Sequence, residues 1–505
     1  MTDPVRPSGA ALQDAQHDTS PPDPRRWLAL GVIAIAQLMI VLDASIVNIA
    51  LPSAQAELDI SDANRQWAVT AYTLAFGGLL LLGGRIADYT GRKRTFVIGL
   101  LGFAGASALG GFAPNQELLF AARGLQGAFA ALMAPAALSL ITVTFTEPKE
   151  RAKAFGVFGA LAGGGAAIGL VLGGILTQYA DWRWCLGVNV PIALGTALAA
   201  LPVIHESKAP GDTRYDVPGA VLVTLGLVSL VYGFTEAAKP DVGWDAGSTR
   251  FFLTAAVVLL AAFVVVELRT ENPLLPMRIA LDRNRGGSYL VFLFSGAGLF
   301  AMFLFLTFYF QNVLGYTPLE AGYAFLPFSA GIILTAGLVA QLLPRIGPKP
   351  LMVTGLTMAT VGMLLLTQIS PTTSYWTHVL PAMVIMSVGM AGVFIPASST
   401  ALVGVGHHDA GVASALLNTS QQIGGSLGTA LLNTFYASAV TAYFADNLRN
   451  PADQERLTPL AWVHGFHVSF FWGAVFLAIA LLVSIFVINA RKEDVPAEPA
   501  RAAAA

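Results

Sequence analysis

Leu42-Asp43-Ala44-Ser45-Ile46-Val47-Asn48-Ile49-Ala50-Leu51-Pro52 ends an apolar run that opens at Trp27. The run is long enough to cross a bilayer as a helix, and a carboxylate stands inside it. A charge within a spanning helix costs at least about 2.5 kcal/mol on insertion scales, so such a group faces a bundle interior, takes a partner and by default serves transport. What partners Asp43 decides how the remaining segments are read.

The chain has 505 residues, of which 55% are hydrophobic and only 11% charged, and its mean hydropathy is +0.66. No ordinary water-soluble domain of this length has that balance, so the fold class is an all-α polytopic membrane protein, with the lipid bilayer as its surroundings. A net charge of -2 offers no basic field for nucleic acid, and Lys and Arg cluster in short loops. The single cysteine, Cys185, excludes an intrachain disulfide and a cysteine metal cluster. The metallohydrolase HExxH, serine-hydrolase GxSxG and phosphate-binding-loop patterns are absent. Neither an enzyme, nor an ATP-driven pump, nor a bound cofactor is expected.

Windows of about 20 apolar residues place spans near 27–51, 66–86, 95–113, 117–144, 153–177 and 184–203. Two more follow near 218–237 and 250–268, then six near 287–311, 321–343, 350–369, 378–403, 413–438 and 465–489. The total is about fourteen. If both termini are on the inner side, about 21 Lys and Arg fall inside and about 6 outside, which is the distribution that orients a bilayer protein. Both termini are therefore expected in the cytoplasm. The segments read as a disordered tail over 1–26, a first six-helix bundle over 27–203, a linker with two extra spans over 204–286, a second six-helix bundle over 287–489 and a tail over 490–505.

A faint repeat supports the doubling. The loop after span 2 reads Gly84-Arg85-Ile86-Ala87-Asp88-Tyr89-Thr90-Gly91-Arg92-Lys93-Arg94, and the loop after span 10 reads Pro344-Arg345-Ile346-Gly347-Pro348-Lys349. With Gly91 on Gly347, Asp88 falls on Pro344, so the second copy lacks the acid.

Depth along a helix follows from a rise of about 1.5 Å per residue. On the spans as read, Asp43 lies about 12 Å and Arg123 about 9 Å from the outer ends of spans 1 and 4, and Tyr72 of span 2 lies at a similar level. A carboxylate, a guanidinium and a phenol can meet there and couple to protons. Burial favours the neutral carboxyl and a nearby guanidinium the charged one, so a motion that changes their separation loads or releases a proton. The structural alternative is a static buried ion pair that sets helix packing.

Gly165, Gly169 and Gly173 in span 5 stand four residues apart, followed by Gly174, and form a smooth strip for close packing or for bending. Span 9 is crowded with aromatics, among them Phe303 and Tyr309, which are candidates to line a cavity for a bulky organic molecule. Gln126 of span 4 and Asn418, Gln421 and Gln422 of span 13 add uncharged polar groups; hydrogen bonds between helices are the alternative for the last three. No acid is evident inside spans 9–14, Glu236 reads as interfacial, and neither His407 and His408 nor His464 and His467 have metal-ligand spacing.

These residues resemble the major facilitator superfamily, and within it the fourteen-span drug:proton antiporter family, over nearly the whole chain from Trp27 to Asn489. The loop motif is matched by Gly84, Ala87, Asp88, Gly91, Arg92 and Lys93, the span 1 motif by Leu42, Asp43, Ile46, Val47, Asn48, Ala50, Leu51 and Pro52, and the span 4 motif by Arg123, Gly124, Gln126 and Gly127. The resemblance implies a proton-coupling role for Asp43 and Arg123 and an inner gate stabilised by Asp88 and Arg92. One departure is Leu170, where the antiporter motif of span 5 usually has proline after the glycine matched here to Gly169. The expectation is a monomeric exporter in a bacterial inner membrane that exchanges protons for a bulky, partly apolar organic compound, driven by the proton gradient. A proton-coupled metabolite importer and a non-transporting receptor on the same fold are the rival classes.

Overall fold

The computed structural model describes residues 24–494 apart from 146, 209–215, 240, 272, 404 and 406–409, and leaves out some side chains near the starts of the fifth and thirteenth helices. Residues 1–23 of the expected first tail, 495–505 of the last and the pair His407 and His408 lie outside the described residues. The chain forms α1 (Arg26–Glu57), α2 (Trp67–Thr90), α3 (Arg92–Gly111), α4 (Gln116–Thr144), α5 (Pro148–Tyr179) and α6 (Trp184–Val203). Then come α7 (Val217–Ala238), α8 (Gly247–Arg269), α9 (Arg283–Val313), α10 (Pro318–Ile346), α11 (Pro348–Leu366), α12 (Tyr375–Leu402), α13 (Ala410–Asn447) and α14 (Pro451–Phe486). Among the described residues, 12 of these are long and apolar enough to cross a membrane. The others are α5, with an apolar part at Gly165–Tyr179, and α13; they stand where the fifth and thirteenth spans were expected.

Helices are the form these segments take because hydrocarbon satisfies no backbone donor or acceptor, and an α-helix pairs all but its ends internally. The ends are closed by side chains. Asn115 accepts from Leu118 N at 3.0 Å at the start of α4, Asp282 accepts from Asn284 N and Arg285 N at the start of α9, and Thr317 with Glu320 makes a capping box on α10. Several boundaries differ from the sequence expectation, α14 beginning at Pro451 and α13 running on to Asn447, and two of the differences bear on the site. α1 runs through Pro52 to Glu57, because a proline in a membrane helix is tolerated where neighbouring groups and local adjustment satisfy the backbone it frees. Asp43 is thus about 21 Å from the end of its helix, deeper than the shorter span implied. α9 ends in a π-turn over Tyr309–Val313, which turns Gln311 back so that its Nε2 donates to Ile49 O of α1 at 3.0 Å.

α1 packs on α5, α2 and α3 on α4, and α3 on α6; α9 packs on α13 and α14, α11 on α12 and α14, and α10 on α12. These are two six-helix bundles. They meet where α2 lies on α13 and where α5 lies on α10, and the hairpin α7–α8 leans on α2 and α13 through α7. The loop repeat has a structural counterpart. Gly91 (φ +124) and Gly347 (φ +85) each end one helix and begin the next, which a side chain would resist. Two residues on, Lys93 Nζ donates to Leu201 O at 2.6 Å in α6 and Lys349 Nζ to Ile485 O at 2.7 Å in α14. Each lysine thereby caps carbonyls near the C-terminal end of its own bundle's last helix.

Close crossings depend on missing side chains. A Cβ at Gly83 would overlap Ala131 O, one at Gly127 would overlap Tyr72 O, and one at Gly424 would overlap Leu293 O. Gly83→Val should therefore push α2 off α4 and cost about 1–3 kcal/mol or more. Gly195→Ala on α6, where a Cβ meets nothing within 4 Å, should leave stability unchanged. Thermal unfolding of the two variants in detergent checks this contrast, and equal melting temperatures would contradict it.

Candidate functional site

Asp43 is 0% and Arg123 1% exposed, and Arg123 Nη1 donates to Asp43 Oδ2 at 2.6 Å. Asn189 Nδ2 of α6 and Gln126 Nε2 of α4 donate to Asp43 Oδ1 at 2.8 and 3.1 Å. Arg123 Nη1 also donates to Gln126 Oε1 at 2.8 Å, and Arg123 Nε donates to Ala68 O at 2.9 Å. Gln126 Nε2 reaches Ser107 Oγ of α3 at 2.7 Å. Both carboxylate oxygens are thus held from two further helices, the condition under which a buried pair is tolerated. Gly127 brings α4 against the backbone at Tyr72, and the Arg123 guanidinium lies 4.6 Å from the centre of the Tyr72 ring. The expected trio meets, with one correction: the phenol contributes its ring face, and its hydroxyl has no hydrogen-bond partner.

Tyr72 also borders a cavity of about 1910 Å³ between the bundles. At one end the cavity is lined by Arg85, Asp88, Arg92, Arg151, Glu271 and Arg278, which belong to the last turns of α2, the first turns of α3 and α5 and the segment after α8. Phe303, Asn418, Gln421 and Gln422 line it as expected. Gln126 and Tyr309 do not. Gln126 is consumed by the ion pair, and Tyr309 is fully buried among the second bundle's aromatics with its hydroxyl donating to Ser370 O at 2.8 Å.

Of the loop motif, Gly84, Asp88 and Arg92 border the cavity mouth. Arg92 Nη2 and Nε donate to Asp88 Oδ1 at 2.8 and 3.0 Å, so the pair closes on itself within one bundle. Glu206, unremarked in the sequence, accepts from Lys93 N and Arg94 N at 3.1 Å each and caps α3. On α5, Gly165, Gly169 and Gly173 face Val41, Ser45 with Leu42, and Ile46 of α1, while Gly174 faces Pro318 and Leu319 of α10. Leu170 is buried, and its carbonyl oxygen would lie 2.6 Å from a Cβ at Gly322 of α10. Glu236, expected at an interface, is largely buried and ion-paired to Lys239.

The opposite end is closed by a residue that sequence reasoning missed. Arg65, just before α2, is 2% exposed and inserts between the bundles. Its guanidinium lies 4.2 Å from the Phe308 ring centre and 4.3 Å from that of Tyr436; its Nε donates to Asn433 Oδ1 at 3.1 Å and its Nη1 to Asp62 Oδ1 at 3.3 Å. Asn433 also donates to Asp62 O at 2.7 Å and to Gln66. Arg65 stood one residue outside the span as read from hydropathy, which is why it was not counted as a buried base. Asn189 was legible only as a lone amide in an apolar run.

The chain belongs to the Major Facilitator Superfamily, whose family model matches residues 33–429. It is 49% identical over 475 residues to a puromycin resistance protein of Streptomyces alboniger, covering 94% of this chain and 93% of that one. It is 38% identical over 418 residues to a cephamycin export protein of Amycolatopsis lactamdurans, covering 82% and 85%. Among solved structures, an inward-facing, unoccupied bacterial homologue of the human lysosomal transporter Spinster superposes with a TM-score of 0.64 at 17% identity, covering 95% of this chain and 100% of that one, which supports the fold.

Asp43→Ala should lower stability by about 3–5 kcal/mol by leaving Arg123 buried and unpaired, and Asp43→Asn with Arg123→Gln should recover most of it. Thermal unfolding of the single and double variants reads this, and an undiminished loss in the double variant would contradict it. With Asn48→Cys as a cavity reporter in a Cys185→Ser background, Arg65→Ala should raise labelling by an impermeant maleimide from the closed side about tenfold or more, since a desolvated cation–aromatic cage is lost. Unchanged labelling would show that Arg65 does not hold that end shut.

Proposed function

We propose that this protein is a proton-coupled exporter that exchanges protons for bulky, partly apolar organic compounds by alternating access across a bacterial inner membrane. The observation that carries the proposal is a fully buried Asp43–Arg123 pair one Tyr72 ring away from a cavity of about 1910 Å³ that reaches only one end. That volume exceeds the roughly 300–1,000 Å³ of drug-sized sites. The puromycin resistance and cephamycin export proteins among its relatives favour outward transport of antibiotics.

In this reading the cavity mouth with Arg85, Arg92, Arg151 and Arg278 is cytoplasmic, because basic residues gather on that side, and both termini are cytoplasmic as well. The chain acts as a monomer with fourteen crossings; residues 27–203 and 287–489 rock against each other, and 204–286 fills the flank at α2 and α13. The proton gradient supplies the energy. A proton on Asp43 removes one half of the buried charge pair and leaves Arg123 fixed as the other half. Arg123 Nε holds Ala68 O, and Ala68 N bonds back to Arg65 O at 3.3 Å. Displacing Arg123 therefore pulls on the turn that carries the Arg65 latch. Asp88 and Arg92 serve the opposite gate, and the glycines of α5 let it slide on α1.

In acid-loaded inverted vesicles, a compound drawn from a panel of hydrophobic cations and neutral antibiotics that includes puromycin should discharge the gradient with the native protein and not with Asp43→Asn. Equal discharge with Asp43→Asn would remove Asp43 from the coupling role. Absence of discharge by every compound would remove the export function.

A further inference from the structure

We infer that the deep half of the cavity selects uncharged compounds, so that each exchange for a proton moves net charge; this rests on the exporter reading. All six charged side chains among the described cavity residues sit at its mouth: Arg85, Asp88, Arg92, Arg151, Glu271 and Arg278. Deeper in, the polar lining consists of side-chain amides and hydroxyls. Gln37 of α1 and Gln421 of α13 each lie about 16 Å along their helices from the end at the mouth, and Asn48, Asn418 and Gln422 join them. Phenylalanines of α2, α5, α9, α10 and α12, Phe76, Phe300 and Phe394 among them, and aliphatic side chains such as Ile40, Leu80 and Ile332 cover the rest.

The nearest carboxylate does not serve as a counter-charge. Asp43 is 0% exposed, does not border the cavity, and has both oxygens taken by Arg123, Asn189 and Gln126. A cation brought to this level would leave water without gaining a partner of opposite sign, a desolvation that side-chain amides offset only in part. A neutral molecule with aromatic rings and hydrogen-bonding groups meets both halves of the lining. Gln422 Oε1 is buried without a hydrogen-bond partner beside this lining. The mouth adds to the discrimination, because its four arginines against two acids repel cations before entry.

The charge balance follows. One proton entering as one neutral molecule leaves carries one positive charge inward, so the exchange is driven by membrane potential as well as by the pH gradient. Exchange of one proton for one monovalent cation moves no net charge.

The test uses a matched pair of probes, 3,8-diamino-6-phenylphenanthridine, which is neutral near pH 7, and ethidium, the permanently cationic N-ethyl form of the same ring system. The full chain in lipid nanodiscs should bind the neutral probe about tenfold or more tighter than ethidium, which is at least about 1.4 kcal/mol. Gln421→Glu and Gln422→Glu, each placing a carboxylate in the deep lining, should narrow or reverse that ratio while Asp43 and Arg123 stay intact. In proteoliposomes, an inside-negative or inside-positive potential set by potassium and valinomycin should change the rate of neutral-probe exchange. Equal or tighter binding of ethidium by the native protein, or exchange of the neutral probe indifferent to potential, overturns the inference while leaving proton-coupled export standing. Binding of neither probe overturns the inference together with the reading that this cavity holds bulky aromatic compounds.

Discussion

An arginine and an aspartate shut away from water inside a bilayer protein persist only if each satisfies the other and if the remaining polar atoms around them are satisfied too. At Asp43 and Arg123, on α1 and α4, that requirement draws in three other helices. Asn189 comes from α6, Ser107 from α3 and the Ala68 carbonyl from α2, and Gln126 ties α4 to Asp43 of α1. The first bundle is consequently organised around one charge pair. Its glycines follow the same need, since Gly127 permits the approach that lays Tyr72 under Arg123, and Gly169 permits α5 to close on α1 one turn from Asp43. The same residues therefore serve stability and the placement of a protonatable group beside the cavity.

The two halves share a geometry and divide the work. Gly91 with Lys93 and Gly347 with Lys349 make the same turn and the same lysine-to-carbonyl tether in each bundle. Only the first copy keeps the acid, so the Asp88–Arg92 pair is found at one side of the mouth alone. The second bundle contributes an aromatic wall and amides, and at the far end it supplies the cage of Phe308, Tyr436 and Asn433 into which Arg65 reaches from the first. Charge sits in one half and shape in the other, and Arg65 crosses between them.

Much of this was legible in the sequence because membrane segments announce themselves by length and hydropathy, and because an acid or base inside such a segment is rare enough to be noticed. Asp43, Arg123 and Tyr72 were placed at one depth from helix rise alone, and they do meet. The misassignments share a cause: hydropathy gives depth along a helix but not the direction a side chain takes. Gln126 and Tyr309 were at plausible depths for a cavity, yet one faces the ion pair and the other the aromatic core of its bundle. Arg65 fell just outside a hydropathy window because the α1–α2 connection folds back between the bundles, a tertiary event with no local signal. The Ala68 carbonyl, which takes the Arg123 Nε, has no side-chain signature at all.

The central claim is that the protonation state of Asp43 sets which end of the cavity is open, and the most direct measurement is the distance between spin labels at the two ends in nanodiscs as pH is changed. One pair would report the closed end, at Asp59 and Asn450, and the other the mouth, at Arg94 and Arg345. Coupling through Asp43 predicts that the two distances change in opposite senses with pH in the native protein and become insensitive to pH in Asp43→Asn. An undiminished pH response in Asp43→Asn would contradict it and leave the buried pair a structural element only.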